Sequence, residues 1–159
     1  MTTTVPMDTP VGRLVLEGDG DVLIGVWLPN HPQQDGLDAA FDGATPVLKE
    51  TTRQLEEYFA GERRTFDVPM ELDGTAFQRA VWAELSRIPY AETISYGELA
   101  RRVGRPKGPR AVGQANGANP IPIIVPCHRV LASNGIGGYG GGLPVKRALL
   151  AVEGVEGVA

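Results

Sequence analysis

Hydrophobic and polar positions divide the chain into two differently patterned halves. Near the N-terminus, Val11 to Leu16 is followed by the turn cluster Glu17-Gly18-Asp19-Gly20-Asp21, and Val22, Ile24, Val26 and Leu28 then recur at period two. This predicts a β-hairpin. Pro29 to Gly43 is a polar loop rich in Pro, Gly and Asp. The spacing then becomes helical. Thr45 is a candidate N-cap and Pro46 suits the first helical position. Leu48, Leu55 and Phe59 fall on one stripe, and Gly61 stops it. Residues 62–74 read as an extended link between the halves.

The second half is helical and heavily punctuated. Thr75-Ala76-Phe77-Gln78 has the form of a capping box; Phe77, Val81, Leu85 and Ile88 follow at helical spacing until Pro89. Ser95-Tyr96-Gly97-Glu98 repeats the box and opens a short helix through Val103, closed by Gly104. After Arg105-Pro106-Lys107-Gly108, Pro109 opens another helix that runs to Asn116-Gly117. Two short helices around a brief turn predict a helix-turn-helix. The second carries Ala111, Gly113, Ala115 and Gly117, and only Arg110, Gln114 and Asn116 have side chains suited to base edges. That composition implies close approach to a nucleic-acid backbone with little sequence preference.

Composition sharpens this picture. The chain has 159 residues, one Cys and a net charge of −4. That length suits one domain or two small ones. A lone Cys excludes an internal disulfide and a zinc site built from several thiolates. No apolar run is long enough to span a membrane, and the N-terminus lacks the basic and apolar regions of a secretory signal. A cytoplasmic location with a reduced thiol is expected. Charge is uneven: residues 1–98 hold 17 acidic and 7 basic side chains, whereas residues 99–152 hold 8 basic and no acidic ones. Such asymmetry suggests a polyanion-binding face around Arg101, Arg102, Arg105, Lys107 and Arg110.

The chemistry concentrates in Asn119-Pro120-Ile121-Pro122-Ile123-Ile124-Val125-Pro126-Cys127-His128-Arg129-Val130. Pro126 suits the first position of a helix, which would put Cys127 in a helical first turn. There the helix dipole, free amides, His128 and Arg129 would favour the thiolate and make a nucleophile. Adjacent helical residues do not face each other, so His128 would act on Cys127 through a water. A neutral His acting as base needs an orienting acceptor; the first carboxylate downstream is Glu153, beyond a helix over Pro144–Val152. Gly135 to Gly142 is a glycine-rich loop whose one large aromatic is Tyr139, and it lacks the Lys of a phosphate loop.

Pro126-Cys127-His128-Arg129-Val130 resembles the active-site signature of the O6-alkylguanine-DNA alkyltransferases (methylated-DNA–protein-cysteine methyltransferases). Further matches follow the family's order and spacing: Phe77 to Trp82, Ile88-Pro89-Tyr90, Ser95-Tyr96-Gly97, Arg110 to Gly113, Asn116-Gly117, Asn119-Pro120, Tyr139 to Leu143, and Lys146. The resemblance is specific over residues 74–153 and looser before them. It implies an α/β N-terminal domain over 1–70, ribonuclease-H-like, with a small antiparallel sheet plus a helix. A mainly α, winged-helix-like domain over 74–159 would hold the helix-turn-helix and the active-site Cys.

The resemblance also implies roles. Duplex DNA containing O6-alkylguanine would be bound and the damaged nucleotide flipped out. Cys127 would accept the alkyl group irreversibly, one per chain, with His128 as base through a water and Glu153 orienting it. Tyr96 would assist protonation of the leaving base, and Asn119 would brace the turn into an active-site strand. Tyr139 would line the alkyl pocket, and backbone groups of Cys127, Val130 and Gly140 would read the base. Arg110 would enter the stack as a finger beside Ala111, Gly113 and Gln114, with Arg101, Arg105 and Lys107 on the DNA backbone. No metal or cofactor is implied, since one Cys with His31 and His128 does not make the structural zinc site of some relatives. A monomer is expected, with cooperative loading on DNA and action on O4-alkylthymine left open. The alternatives are a lesion-sensing binding protein of the same fold that transfers nothing, a cysteine hydrolase using Cys127 and His128, and a plain DNA-binding regulator, against which the helix poor in base-reading side chains argues.

Overall fold

A computed structural model describes residues 2–35, 45–105 and 108–158. The chain divides into two compact units, residues 1–73 and 74–159.

In the first unit, β1 (Thr2–Thr9), β2 (Gly12–Asp19) and β3 (Val22–Trp27) form one antiparallel sheet in that order. A single helical turn, α1 (Pro32–Asp35), precedes α2 (Pro46–Phe59). Met7, Leu14, Leu16, Leu23 and Val26 supply buried sheet side chains, and α2 buries Val47, Leu48, Leu55 and Tyr58. Gly18 marks the contact of sheet with helix: a Cβ there would lie 3.3 Å from Leu48.

Several features depart from the period-two reading. β1 adds a third strand before the hairpin that the period-two pattern defines. Glu17 to Asp19 continue β2, because they pair with neighbours on both sides; the turn is confined to Gly20 and Asp21. A register shift opposite Glu17 and Gly18 leaves Ile24 without a partner. Such a bulge reverses the alternation, since side-chain direction has period two. Leu23 is therefore buried in place of Val22 and Ile24, while Val26 and Leu28 are buried as expected. On α2, Tyr58 and not Phe59 enters the core, and the Thr45 side chain caps nothing. The link is partly ordered onto the sheet: Leu23 N donates to the Pro69 carbonyl at 2.8 Å, and Glu71 N to the Leu23 carbonyl at 3.0 Å. Most of the acidic loop, residues 36–43, lies outside the described residues.

The second unit comprises α3 (Ala76–Leu85), β4 (Ile94–Ser95), α4 (Tyr96–Arg102), α5 (Pro109–Gly117), a 3-10 turn (Cys127–Arg129), β5 (Val130–Leu131) and α6 (Leu143–Val152). Thr75 makes the expected reciprocal box with Gln78. At Ser95 only half a box forms: its hydroxyl accepts from Glu98 N, while the Glu98 carboxylate turns to Arg101 and Arg102. α4 and α5 form the helix-turn-helix, and Trp82 on α3 donates to the Ala115 carbonyl of α5 at 2.8 Å. β4 pairs parallel with β5, joining the entrance of α4 to the residues just after Cys127. No helix among the described residues is long and apolar enough to cross a membrane.

The two threonine caps separate experimentally. Thr75→Ala is expected to cost about 1 kcal/mol, the usual value of an N-cap side chain. Thr45→Ala is expected to cost almost nothing, since the Thr45 hydroxyl is buried with no partner among the described residues. Urea unfolding midpoints of the two variants check both.

Candidate active site

Asn119 shapes the approach to the thiol. Its Oδ1 accepts from Ile121 N at 2.9 Å and its Nδ2 donates to the Val125 carbonyl at 2.8 Å, so one side chain ties both ends of a tight turn. Within that turn Ile123 has a φ of 74°. A β-branched residue in this region is strained, by an amount of order 1 kcal/mol or more. Pro126 (φ −82°, ψ 67°) then centres an inverse γ-turn, with Cys127 N donating to the Val125 carbonyl at 2.8 Å. The expected active-site strand is thus a pair of tight turns, and Pro126 does not open an α-helix.

Cys127 begins a three-residue 3-10 turn and is buried. So short a turn supplies no helix dipole, and Arg129 points away from the sulfur. Burial pushes the thiol above its ordinary pKa; the side chains of Asn119 and Tyr139 and the charge of Lys146 only partly offset this. The expectation of a ready thiolate in a helical first turn is therefore corrected. The resting group is a protected thiol, and the Tyr139 hydroxyl lies 3.9 Å from its Sγ.

His128 and Glu153 meet inside the unit. His128 Nε2 lies 2.5 Å from Glu153 Oε2, with both side chains inaccessible to solvent. Glu153 follows the last residue of α6 and also accepts from Ala91 N at 3.0 Å and from Arg129 Nε at 2.8 Å. Burial lowers the His128 pKa against the pull of Glu153, so the imidazole is neutral at neutral pH. Its Nδ1 is buried with no partner among the described residues.

Lys146 carries an importance that sequence reasoning did not assign. It is fully buried, and its Nζ donates to the carbonyls of Val130 (2.7 Å), Ile136 (2.7 Å) and Gly138 (3.0 Å). Burial lowers its pKa to about 8, and Cys127 opposes that fall. A signal was available: Lys146, Leu149 and Leu150 share one stripe of α6, so this Lys sits on a core face. The Tyr96 hydroxyl shares the Gly138 carbonyl at 3.3 Å. Gly137 (φ 76°) admits no side chain, since a Cβ would stand 3.1 Å from the Tyr96 ring. The glycine-rich loop is thereby pegged beside Cys127. Val130 is buried with its carbonyl engaged by Lys146, whereas Gly140 is exposed and Tyr139 half-buried.

On α5, Arg110, Ala111, Gln114 and Gly117 are exposed and Gly113 is half-buried, while Val112, Ala115 and Asn116 face inward. Asn116 Nδ2 donates to the Cys127 carbonyl at 3.4 Å, so of the three side chains of a type suited to base edges this one faces the active site. Arg110 is free of hydrogen bonds and ion pairs among the described residues. Arg101 pairs with Glu98 at 2.8 Å, and Arg105 lies over the Phe77 ring at 5.3 Å. Lys107 is outside the described residues. Among the described residues no three His, Cys, Asp or Glu side chains gather as a metal site.

Residues 76–155 match the family described as 6-O-methylguanine DNA methyltransferase, DNA binding domain, and residues 4–72 match its ribonuclease-like domain. The chain is 45% identical over 148 residues to the methylated-DNA–protein-cysteine methyltransferase of Methanosarcina acetivorans, covering 92% of this chain and 95% of that protein. It is 44% identical to the constitutive enzyme of that name from Bacillus subtilis, covering 92% of each. Among solved structures, O6-methylguanine methyltransferase of Mycobacterium tuberculosis superposes with a TM-score of 0.87 at 46% identity, covering 96% of this chain and 93% of that one. The same organism's protein in complex with DNA gives 0.86 at 45% identity, over 95% and 92% of the two chains. The chain belongs to the 6-O-methylguanine-DNA methyltransferase family.

Proposed function

We propose that this protein repairs DNA directly, moving the alkyl group of O6-alkylguanine in duplex DNA onto Cys127. The observation that carries this reading is the joining of a buried thiol, a neutral His–Glu pair and a helix-turn-helix in one small unit. The exposed face of α5, rich in small residues, suits approach to the duplex without reading its sequence. Arg110, exposed and unpaired among the described residues, fills the gap left by the flipped nucleotide, and Gly140 and Tyr139 border the pocket that receives it.

The chemistry follows from the protonation states. The Cys127 proton passes through a water to His128 Nδ1, while Nε2–H stays on Glu153. The thiolate attacks the alkyl carbon in line; the Sγ–C bond forms as the O6–C bond breaks. Guanine leaves as an anion and gains one proton at the ring, assisted by Tyr96, which balances the proton lost by Cys127. Attack at saturated carbon needs no oxyanion hole, only a nucleophile and a stabilised leaving group. The thioether has no release route, so each chain acts once. A lesion sensor would need no nucleophile, and Cys127 stands here with its base. The site uses residues of one chain, so a monomer suffices, and the lone thiol fits a reducing, cytoplasmic setting.

Intact mass and peptide mapping after incubation with a duplex containing O6-methylguanine test the reading. One methyl per chain on Cys127, without turnover, is expected. Tight lesion binding without modification would instead make the protein a sensor, and neither would refute the reading. Arg110→Ala is expected to slow repair in duplex DNA far more than reaction with free O6-benzylguanine; equal losses would contradict the finger role. Tyr139→Phe removes a group that favours the thiolate, so its thiol pKa rises further. Iodoacetamide alkylation at neutral pH is expected to slow by roughly fivefold, the equivalent of about 1 kcal/mol for one hydrogen bond.

A further inference from the structure

Glu153 holds its negative charge where two effects oppose it. It is buried, and it sits at the C-terminal end of α6, the negative end of the helix dipole. Arg129 answers both. Its Nε donates to Oε1 at 2.8 Å and its Nη2 to Oε2 at 3.1 Å, a forked grip on the carboxylate. Its Nη1 donates to the Ile88 carbonyl at 2.7 Å, and the guanidinium lies 5.8 Å from the Tyr90 ring centre. A guanidinium does not deprotonate in a protein, so Arg129 and Glu153 form a permanently compensated pair.

The consequence falls on His128. A buried imidazole facing a lone carboxylate takes up a second proton, because the opposite charge favours its cation. Facing a carboxylate that a guanidinium already neutralises, it has much less reason to do so. We propose that Arg129 is a positioning residue that keeps His128 neutral with its proton on Nε2, leaving Nδ1 as the lone pair that accepts the Cys127 proton. The role given to that lone pair rests on the alkyl-transfer reading; the charge state of His128 does not. The groups facing the imidazole are Glu153 and Lys146 from the α6 side and Cys127 and Arg129 from its own turn. Glu153 favours the cation, whereas burial, Arg129 and Lys146 oppose it. Removing Arg129 cancels one opponent and frees the full charge of Glu153. The unpartnered Nδ1 agrees, since a buried imidazolium N–H without an acceptor is costlier than an unused lone pair.

Side-chain nitrogen NMR of the histidines, from acidic to alkaline pH, tests this in the wild type, Arg129→Met and Arg129→Lys. His31, in the other unit, is the control. The rate of Cys127 alkylation by iodoacetamide is followed over the same range. The wild type is expected to show neutral, Nε2-protonated His128 at neutral pH. In Arg129→Met the His128 midpoint is expected to rise by about one unit or more. The acid limb of thiol alkylation should move with it, so the loss is greatest at acidic pH and recovers at alkaline pH. Arg129→Lys, which keeps the charge and loses the fork, should stay near the wild type. An unmoved midpoint with equal rate loss at every pH would reduce Arg129 to a structural strut and overturn the proposal. Should Arg129→Met not fold, the wild-type spectrum decides alone: an imidazolium at neutral pH overturns the proposal, and the neutral tautomer supports it. None of these readouts uses DNA, so absent methyl transfer beside the expected spectra would count against the proposed function only.

Discussion

The second unit is organised around one buried carboxylate. An ionised Glu153 at the C-terminal end of a helix is unstable unless donors converge on it. They come from two places: Ala91 after α3, and Arg129 and His128 in the 3-10 turn. The donors are held in place by their own surroundings. Ala91 has a φ of 65°, which aims its N–H at the carboxylate, and Arg129 reaches on to the Ile88 carbonyl. Satisfying one charge therefore fixes the loop after α3, the nucleophile turn and the end of α6 together. Removing a single partner from such a network costs more than the pair contributes, because a bare buried charge remains.

The same economy explains why the nucleophile rests as a thiol. A buried sulfur is shielded from stray electrophiles, which matters for a group that reacts once. Its raised pKa fits the proposed use of a base, and a neutral imidazole is the form that can serve. Lys146 complements the arrangement. Its ammonium is anchored by three carbonyls and lies where it eases the thiolate into existence without pairing with it.

The sequence made much of this legible, and the failures have definite causes. The helix-turn-helix, the Thr75 box and the core stripe of α3 rest on local capping and periodicity, which survive folding unchanged. The β3 phase was misread because a bulge at Ile24 is set by pairing with β2, information that lies outside the strand itself. Tyr58 displaces Phe59 for a similar reason, since the α2 stripe is fixed by the sheet it covers. Around Cys127 the residue types were legible from the motif, but the turn geometry was not. Ile123 with positive φ and Pro126 in a γ-turn violate local preference, and such positions are where a functional constraint overrides it. The orientation of Arg129 was hidden too: adjacency to Cys127 suggested help for the thiolate, whereas the acid-free stretch before Glu153 left that carboxylate as its partner.

α5 shows how recognition and chemistry share one element. Its outward residues, Arg110, Ala111, Gln114 and Gly117, are exposed, and its inward Asn116 holds the Cys127 carbonyl. Just beyond its end, Asn119 staples the turn that leads to the thiol. α5 and the nucleophile are therefore separated by one side chain across the helix and one strained turn along the chain. On the proposed reading, a base flipped out beside α5 meets a thiol whose surroundings are already held in place. Rigidity serves this better than adaptability, because in-line attack on carbon tolerates little error in position. Small residues outside and an Asn119 bonded at both its oxygen and its nitrogen thus suit the proposed function together: the first lets a duplex come close, and the second holds the thiol still.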